Sequence, residues 1–381
     1  MLPPFYQAGL AAQLSQIQLI TLQMLVELLQ KERQVSLERL ATLFAQPIQF
    51  ESRRRNLQRF LMLPQLSAQA LWFPMFKHWL KQHVQRGQRL KVVIDRTQWQ
   101  HPNLLMVSIV YQKRAIPVYW QLLDKQGQSS LTEQKQVLRP VLQLVRRYQT
   151  VVLGDREFHS VALADGLRQQ QVNFVLRLPK STTAQQFPDS EFERLDELPQ
   201  FPGIAVYEVQ VQVTQQQGFG RFNLVTRWKR VYRKNKANEG WYLLTNLDTL
   251  EEALQCYSQR FSIEPLFRDF KSGGYNLETC RLTGQRFLTI VLLIAITYTL
   301  TTHQGKRIRH KQVQHYVGRT KESGRTQKRH SDFWIGLYGR LWTDSMDGWS
   351  NWAEQLRRLK PQKRVFFLQG LRAMSLIESV F

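Results

Sequence analysis

Two short hydrophobic runs, Lys91–Asp95 and Val151–Asp155, each end in an aspartate, and a glutamate, Glu264, follows much later within Tyr257–Lys271. A carboxylate at the tip of a buried strand is held by rigid backbone. Three such groups converging from separate elements can hold two hard divalent cations through oxygen ligands alone. Ions held in this way lower the pKa of a bound water or sugar hydroxyl and stabilise a leaving oxygen, which is the chemistry of phosphodiester cleavage. Asp95, Asp155 and Glu264 are therefore the expected catalytic residues and metal ligands. Two Mg²⁺ ions are the expected cofactor, with Mn²⁺ able to substitute.

Composition agrees with a nucleic-acid substrate. The 381 residues carry 53 Lys and Arg against 29 Asp and Glu, a formal charge of +24, and an excess of that size points to a polyanionic partner. The 43% apolar content argues against wholesale disorder, and the length allows two or three domains. Cys256 and Cys280 are the only cysteines, without a Cys-x-x-Cys pair, so neither a disulfide framework nor a zinc finger is supported. A reducing cytoplasm, with the protein on the nucleoid, is the expected location. Met1–Phe5 lacks the basic-then-apolar order of a signal peptide. The longest apolar stretch, Phe287–Leu300, is shorter than the roughly 20 residues of a membrane helix and is interrupted by three threonines. It reads as a buried core helix, and no membrane partner is expected. The Walker loop, the dinucleotide glycine pattern, His-Glu-x-x-His and Gly-x-Ser-x-Gly are all absent, so no nucleotide cofactor is expected either.

The elements that must position the acids can be read from periodicity. Residues 1–88 are helical in pattern, with an apolar stripe at Leu19, Leu22, Leu25, Leu28 and Leu29, a short helix at 36–44, and a basic helix carrying Arg53, Arg54, Arg55 and Arg59. Short helix, turn and basic helix outline a helix-turn-helix reader, whose arginines suit DNA phosphates. From 89 to 180 the period becomes that of strands: 91–97, 104–111 and 115–122, then a helix over 131–147, a strand ending at Asp155, a helix at 160–170 and a strand at 172–176. The order β-β-β-α-β-α-β, with aspartates at the ends of the first and fourth strands, is that of a ribonuclease H-like α/β domain, a mixed sheet flanked by helices. Residues 181–245 read as an inserted β-rich subdomain, with strands at 205–214 and 222–231. Arg227, Lys229, Arg230, Arg233, Lys234 and Lys236 crowd its second strand, which favours a phosphate-facing surface. Residues 246–302 return to the core with Glu264. The 303–381 region opens with nine Lys or Arg and one acid before 330, the composition of a flexible segment that orders on nucleic acid, and then turns aromatic and helical. His159 reads as an exposed histidine at a helix start.

The spacing Tyr-x2-Arg-x3-Glu-x6-Lys, filled by Tyr257, Arg260, Glu264 and Lys271, resembles the signature of DDE transposases in the family named after insertion sequence four. The resemblance covers 89–302 with motifs and the flanks in general layout. It implies a bacterial-type insertion-sequence transposase that binds inverted-repeat ends of double-stranded DNA and carries out cut-and-paste strand cleavage and transfer, as a homodimer in the synaptic complex. Arg260 and Lys271 would then clamp phosphates and Tyr257 would donate to one. Trp241 is similar in position to a tryptophan on which relatives stack a flipped base, and Phe261 stands where a second aromatic is placed. On one continuous helix positions 257, 260, 264 and 271 would fall within about 60° of each other. Pro265 interrupts that expectation by kinking the helix or restarting it at Glu264. Two alternatives stay open: a nuclease of this core without strand transfer, and a catalytically silent, transposase-derived DNA-binding regulator.

Overall fold

The computed structural model describes residues 9–85, 87–99, 102–198, 201–214, 220–228, 240–319, 323–324 and 329–381. The chain divides into two compact units, one of residues 68–269 and one of residues 1–67 with 270–381.

The 68–269 unit is built on one ten-stranded sheet. In chain order the strands are β1 (Leu90–Gln98), β2 (Asn103–Tyr111), β3 (Arg114–Leu122), β4 (Thr150–Gly154), β5 (Asn173–Arg177), β6 (Thr183–Gln185), β7 (Glu193–Arg194), β8 (Ala205–Val213), β9 (Arg221–Arg227) and β10 (Trp241–Thr245). Across the sheet they lie in the order β3-β2-β1-β4-β5-β10-β9-β8-β6-β7. β1, β2 and β3 form an antiparallel meander, and β1, β4 and β5 run parallel. Parallel strands covered on both faces need apolar residues at consecutive positions. Val92, Val93 and Ile94 in β1, and Val151, Val152 and Leu153 in β4, are fully buried. The β2–β3 turn places Gln112 and Lys113 at φ of 49° and 69°, the paired left-handed conformation that matches the twist of a tight hairpin.

Helices that pack on this sheet start at N-terminal caps. The helix Leu131–Leu144 starts at a Ser130/Glu133 capping box, Val161–Gln169 at Ser160 and Leu250–Arg260 at Thr249. The first packs on β2 and β3, the second on β5, and the third across β1, β4 and β5. These elements make a ribonuclease H-like α/β fold, a mixed sheet core with helical regions on either side of it in sequence.

The strands of the inserted 181–245 stretch extend the same sheet: β10 pairs antiparallel with both β5 and β9, and β8 joins β9 to β6. The first strand, expected over 91–97, runs past Asp95. It continues to Gln98, because Arg96, Thr97 and Gln98 keep their antiparallel pairing with Leu105, Leu104 and Asn103 after the parallel partner has ended.

The 1–67/270–381 unit is helical. The helix Gly284–His310 is long and apolar enough to cross a membrane by length and composition, yet 83% of its most apolar window is buried inside the protein. The helix Gln16–Glu32 packs on it through Gln30, whose amide donates to Thr301 at 2.9 Å and Gln304 at 2.8 Å. The helix Asp332–Leu359 crosses it where Gly305 meets the Asp332 carbonyl and Gly336 meets the Thr301 carbonyl, so that a Cβ on either glycine would overlap backbone. The basic stretch after 303, expected as a flexible segment, therefore begins as the last two turns of a core helix, held by Gly305 and by the Arg309–Asp332 pair at 2.6 Å.

Candidate active site

The parallel register brings the two aspartates together. β1 and β4 pair from Leu90↔Thr150 to Ile94↔Gly154, so Asp95 and Asp155 are the next residues on adjacent strands. Asp155 leaves the sheet and caps a short turn, accepting from the Glu157 amide at 2.9 Å. Gly154 permits that exit, since a Cβ there would meet the Phe158 side chain at 2.7 Å. Burial, and then the neighbouring Asp155 carboxylate, push the Asp95 carboxyl up to about 7, against the opposing pull of Arg260 and the Arg96 amide.

Arg260 stands between the first aspartate and the glutamate. Its Nη1 donates to Asp95 Oδ2 at 3.2 Å and its Nη2 to Glu264 Oε1 at 2.7 Å. The Asp95 and Arg260 side chains are 14% and 9% exposed, whereas Glu264 is 57% exposed. The helix that carries Arg260 ends there. Phe261 and Ser262 turn, and a second helix, Ile263–Phe270, carries Glu264. The expected single stripe is thus broken before Glu264. Pro265 explains the break: inside one continuous helix its ring would strike the carbonyl four residues back, at Phe261, but in the first turn of a new helix it displaces no hydrogen bond.

Two residues outside the sequence motifs tie the aspartates in place. The Arg96 guanidinium donates to Glu157 at 2.8 Å and 3.0 Å, and to Asn103 Oδ1 at 3.0 Å, while its amide donates to Asp95 at 2.8 Å. Glu157 also accepts from the Ser129 amide at 2.8 Å and hydroxyl at 2.6 Å. An ion pair beside each aspartate thus links β1 to the turn after β4. Their closeness in sequence, Asp95 to Arg96 and Asp155 to Glu157, was the available signal.

A metal fits the aspartate pair: two close carboxylates, one of them buried and pushed up to about 7, are relieved by a cation. With Glu264 turned to Arg260, no group of three or more His, Cys, Asp or Glu that could hold a metal ion forms among the described residues. His159, four residues beyond Asp155, is exposed and donates from Nδ1 to the Arg156 carbonyl at 2.6 Å.

Trp241 starts β10 opposite Arg227 of β9 and is 8% exposed. Its ring meets Tyr257 edge-on at 4.9 Å and stacks on Phe261 at 6.0 Å, with the Arg227 guanidinium 5.7 Å away. Tyr257 is fully buried and Arg260 lies 4.4 Å over Phe261. Trp241, Tyr257 and Phe261 therefore form one aromatic cluster beside the carboxylates. Lys271 belongs to the other unit, in the turn after Phe270, where its carbonyl accepts from Asn276 at 2.8 Å. In that unit the helices Leu37–Leu43 and Phe50–Phe60 pack together. Arg53 turns inward to the Ala41 and Ile48 carbonyls, Arg54 contacts Glu38 and Glu51, and Arg55 contacts Glu51. Arg55 and Arg59 line a groove of about 340 Å³ with Arg286. Lys229, Arg230, Arg233, Lys234 and Lys236 lie outside the described residues.

Residues 86–300 match the transposase DDE domain family. No curated protein sequence matches the chain. Among solved structures, a cryo-EM structure of the piggyBac transposase synaptic complex with hairpin DNA is similar at 13% identity, covering 90% of this chain and 77% of that one, with a TM-score of 0.39. A crystal structure of Marinitoga piezophila Argonaute in complex with 5′ OH guide RNA is similar at 10% identity, covering 58% of this chain and 34% of that one, with a TM-score of 0.24. The family match takes in β1, β4 and the Glu264 helix and spans more than half of the 381 residues, and the chain accordingly belongs to the transposase DDE domain family.

Proposed function

We propose that this chain is the transposase of a bacterial-type insertion sequence, which binds the inverted-repeat ends of its element, cleaves them and joins them to target DNA. The observation that carries the reading is the placement of Asp95 and Asp155 directly after the last β1–β4 register pair, with Glu264 tied to Asp95 through one arginine. Membership of the family and the +24 charge support it. The finer assignment, to relatives bearing the Tyr-Arg-Glu-Lys signature, rests on Tyr257, Arg260, Glu264 and Lys271 alone.

Asp95, Asp155 and Glu264 would hold Mg²⁺, which supplies activation of the attacking hydroxyl and charge stabilisation at the leaving oxygen. The chain's own residues do the remaining work. Arg96 and Glu157 hold the two aspartates at a fixed separation. Arg260 pairs with Asp95 and Glu264, and its planar guanidinium would offer bidentate donors to a phosphate. By their charge Arg227, Lys229 and Arg230 suit phosphates, and Trp241, packed with Tyr257 and Phe261, belongs to an aromatic cluster on which an extruded base would stack. Arg54, Arg55 and Arg59 suit phosphates of the end sequence.

The test is strand cleavage on duplexes carrying the element's own ends. Asp95→Ala, Asp155→Ala and Glu264→Ala are each expected to abolish Mg²⁺-dependent cutting while DNA binding persists. Retained cutting in any one removes that residue from the site. A second reading, a silent DNA-binding regulator, is favoured by the engagement of Glu264 with Arg260. It prevails if the unaltered chain binds the ends and cuts them with neither Mg²⁺ nor Mn²⁺.

A further inference from the structure

A groove of about 1010 Å³ opens between the helix Leu131–Leu144 and the helix Val161–Gln169, away from the carboxylates. Residues 146–149 precede β4 and residues 170–172 precede β5, so the groove lies at the entry ends of the parallel strands, whereas Asp95 and Asp155 lie at the exit end of the β1–β4 pair. A five-residue strand separates the two by about 15 Å. Lys135, Arg139, Arg146 and Arg147 line the groove, all exposed, together with Tyr148 and Gln170. Among the described residues no Asp or Glu lines it. The nearest acids on the two helices are already engaged: Asp165 with Arg168 and Gln169, both at 2.6 Å, and Glu133 with Lys125 at 2.9 Å.

Like charges four apart on a helix repel, and Lys135 and Arg139 are so spaced. The favourable field at a helix C-terminus accounts for Arg146 and Arg147 just past the last turn. It does not account for Lys135 and Arg139 in the body of the helix. Cations, glutamine and tyrosine are the side chains that bind phosphate and sugar without reading sequence.

We propose that this groove binds the sugar-phosphate backbone of a second DNA segment, distinct from the strand held at the carboxylates. The proposal rests on the transposase reading given above. It gives the chain two DNA-binding edges on opposite ends of one sheet.

The experiment measures binding of a fluorescent duplex of arbitrary sequence by the full chain across a salt series. Replacing Lys135, Arg139, Arg146 and Arg147 together with Ala is expected to reduce the slope of log affinity against log salt by about 2 to 4, near 0.9 for each phosphate that the variant no longer neutralises. If the fourfold variant does not fold, Arg139→Glu alone is expected to lower the slope by about one. In addition, Arg139→Cys carrying a photocrosslinker, introduced into a chain whose own two cysteines are buried, is expected to attach to the duplex. An unchanged slope and no crosslink, with binding by the unaltered chain intact, overturn this inference alone. Failure of the unaltered chain to bind any duplex overturns it together with the transposase reading. Equal binding of polyglutamate, abolished by the same substitutions, overturns DNA as the ligand.

Discussion

Arg260 donates to Asp95 at 3.2 Å across 165 residues of sequence, and that hydrogen bond ties the end of one helix to β1. The same guanidinium reaches Glu264 at 2.7 Å. One side chain thus senses the first and last members of the acidic trio at once.

Removing Arg260 leaves Asp95 buried beside Asp155 without its counter-charge. Arg260→Gln is expected to destabilise the protein by about 2–4 kcal/mol at pH 8, because breaking a buried ion pair strands a charge. The loss shrinks at pH 5, where Asp95, with its carboxyl pushed up to about 7, is already protonated. Urea unfolding at the two pH values checks this, and an equal loss at both would exclude the pair as its cause.

The Asp95 carboxyl also dictates a pH dependence of stability. Its folded value of about 7 lies above the ordinary 3.8, so between those values the folded state holds a proton that the unfolded state releases. Stability contributed by Asp95 is fully present below 3.8 and is lost as pH rises to about 7. Asp95→Asn, which is neutral throughout, is expected to raise the metal-free unfolding free energy at pH 8 by about 1–3 kcal/mol and to leave it little changed at pH 4. Lower stability at pH 8 in this variant would contradict the assignment.

Metal binding must run the other way. An ion held by Asp95 displaces its proton, so Mn²⁺ affinity is expected to fall by about tenfold per unit as pH drops below 7 and to level off above it. Calorimetric titration in buffers of different ionisation enthalpy would register about one proton released per binding event at pH 6. Proton-free binding at that pH would place the ion elsewhere.

The sequence made the strands and the aspartate pair legible because each rests on local signals. Apolar runs ending in Asp95 and Asp155 place the two residues in β1 and directly after β4, and Ser130, Ser160 and Thr249 cap helices that pack on the sheet. The break before Glu264 was only half legible. Pro265 announces that something must give, but whether the helix bends or restarts depends on where the Phe261 carbonyl can go, which is a tertiary matter. The links from Arg96 to Glu157 and from Arg260 to Asp95 join residues 61 and 165 apart in sequence. Periodicity carries no information about such pairs until the β1–β4 register is known. The merging of the inserted strands into the core sheet was hidden for the same reason: alternation in β8 and β9 shows that they are strands, not that β10 lies beside β5.

The crossing of the two long helices in the 1–67/270–381 unit has no slack. Gly305 and Gly336 sit where a Cβ would run into the carbonyls of Asp332 and Thr301, and backbone cannot yield as a side-chain tip can. Either Gly305→Ala or Gly336→Ala must therefore push the helices apart, which also loosens the Gln30–Thr301–Gln304 hydrogen bonds and the Arg309–Asp332 pair. Each is expected to cost about 3 kcal/mol or more, at the upper end of overpacking effects. Gly348, on the same helix as Gly336 but with open space around it, serves as the control: Gly348→Ala is expected to leave stability unchanged or to raise it by up to about 1 kcal/mol through helix propensity. Thermal unfolding of the three variants decides the matter, since equal midpoints for Gly336→Ala and Gly348→Ala would show that the close crossing does not hold this unit together.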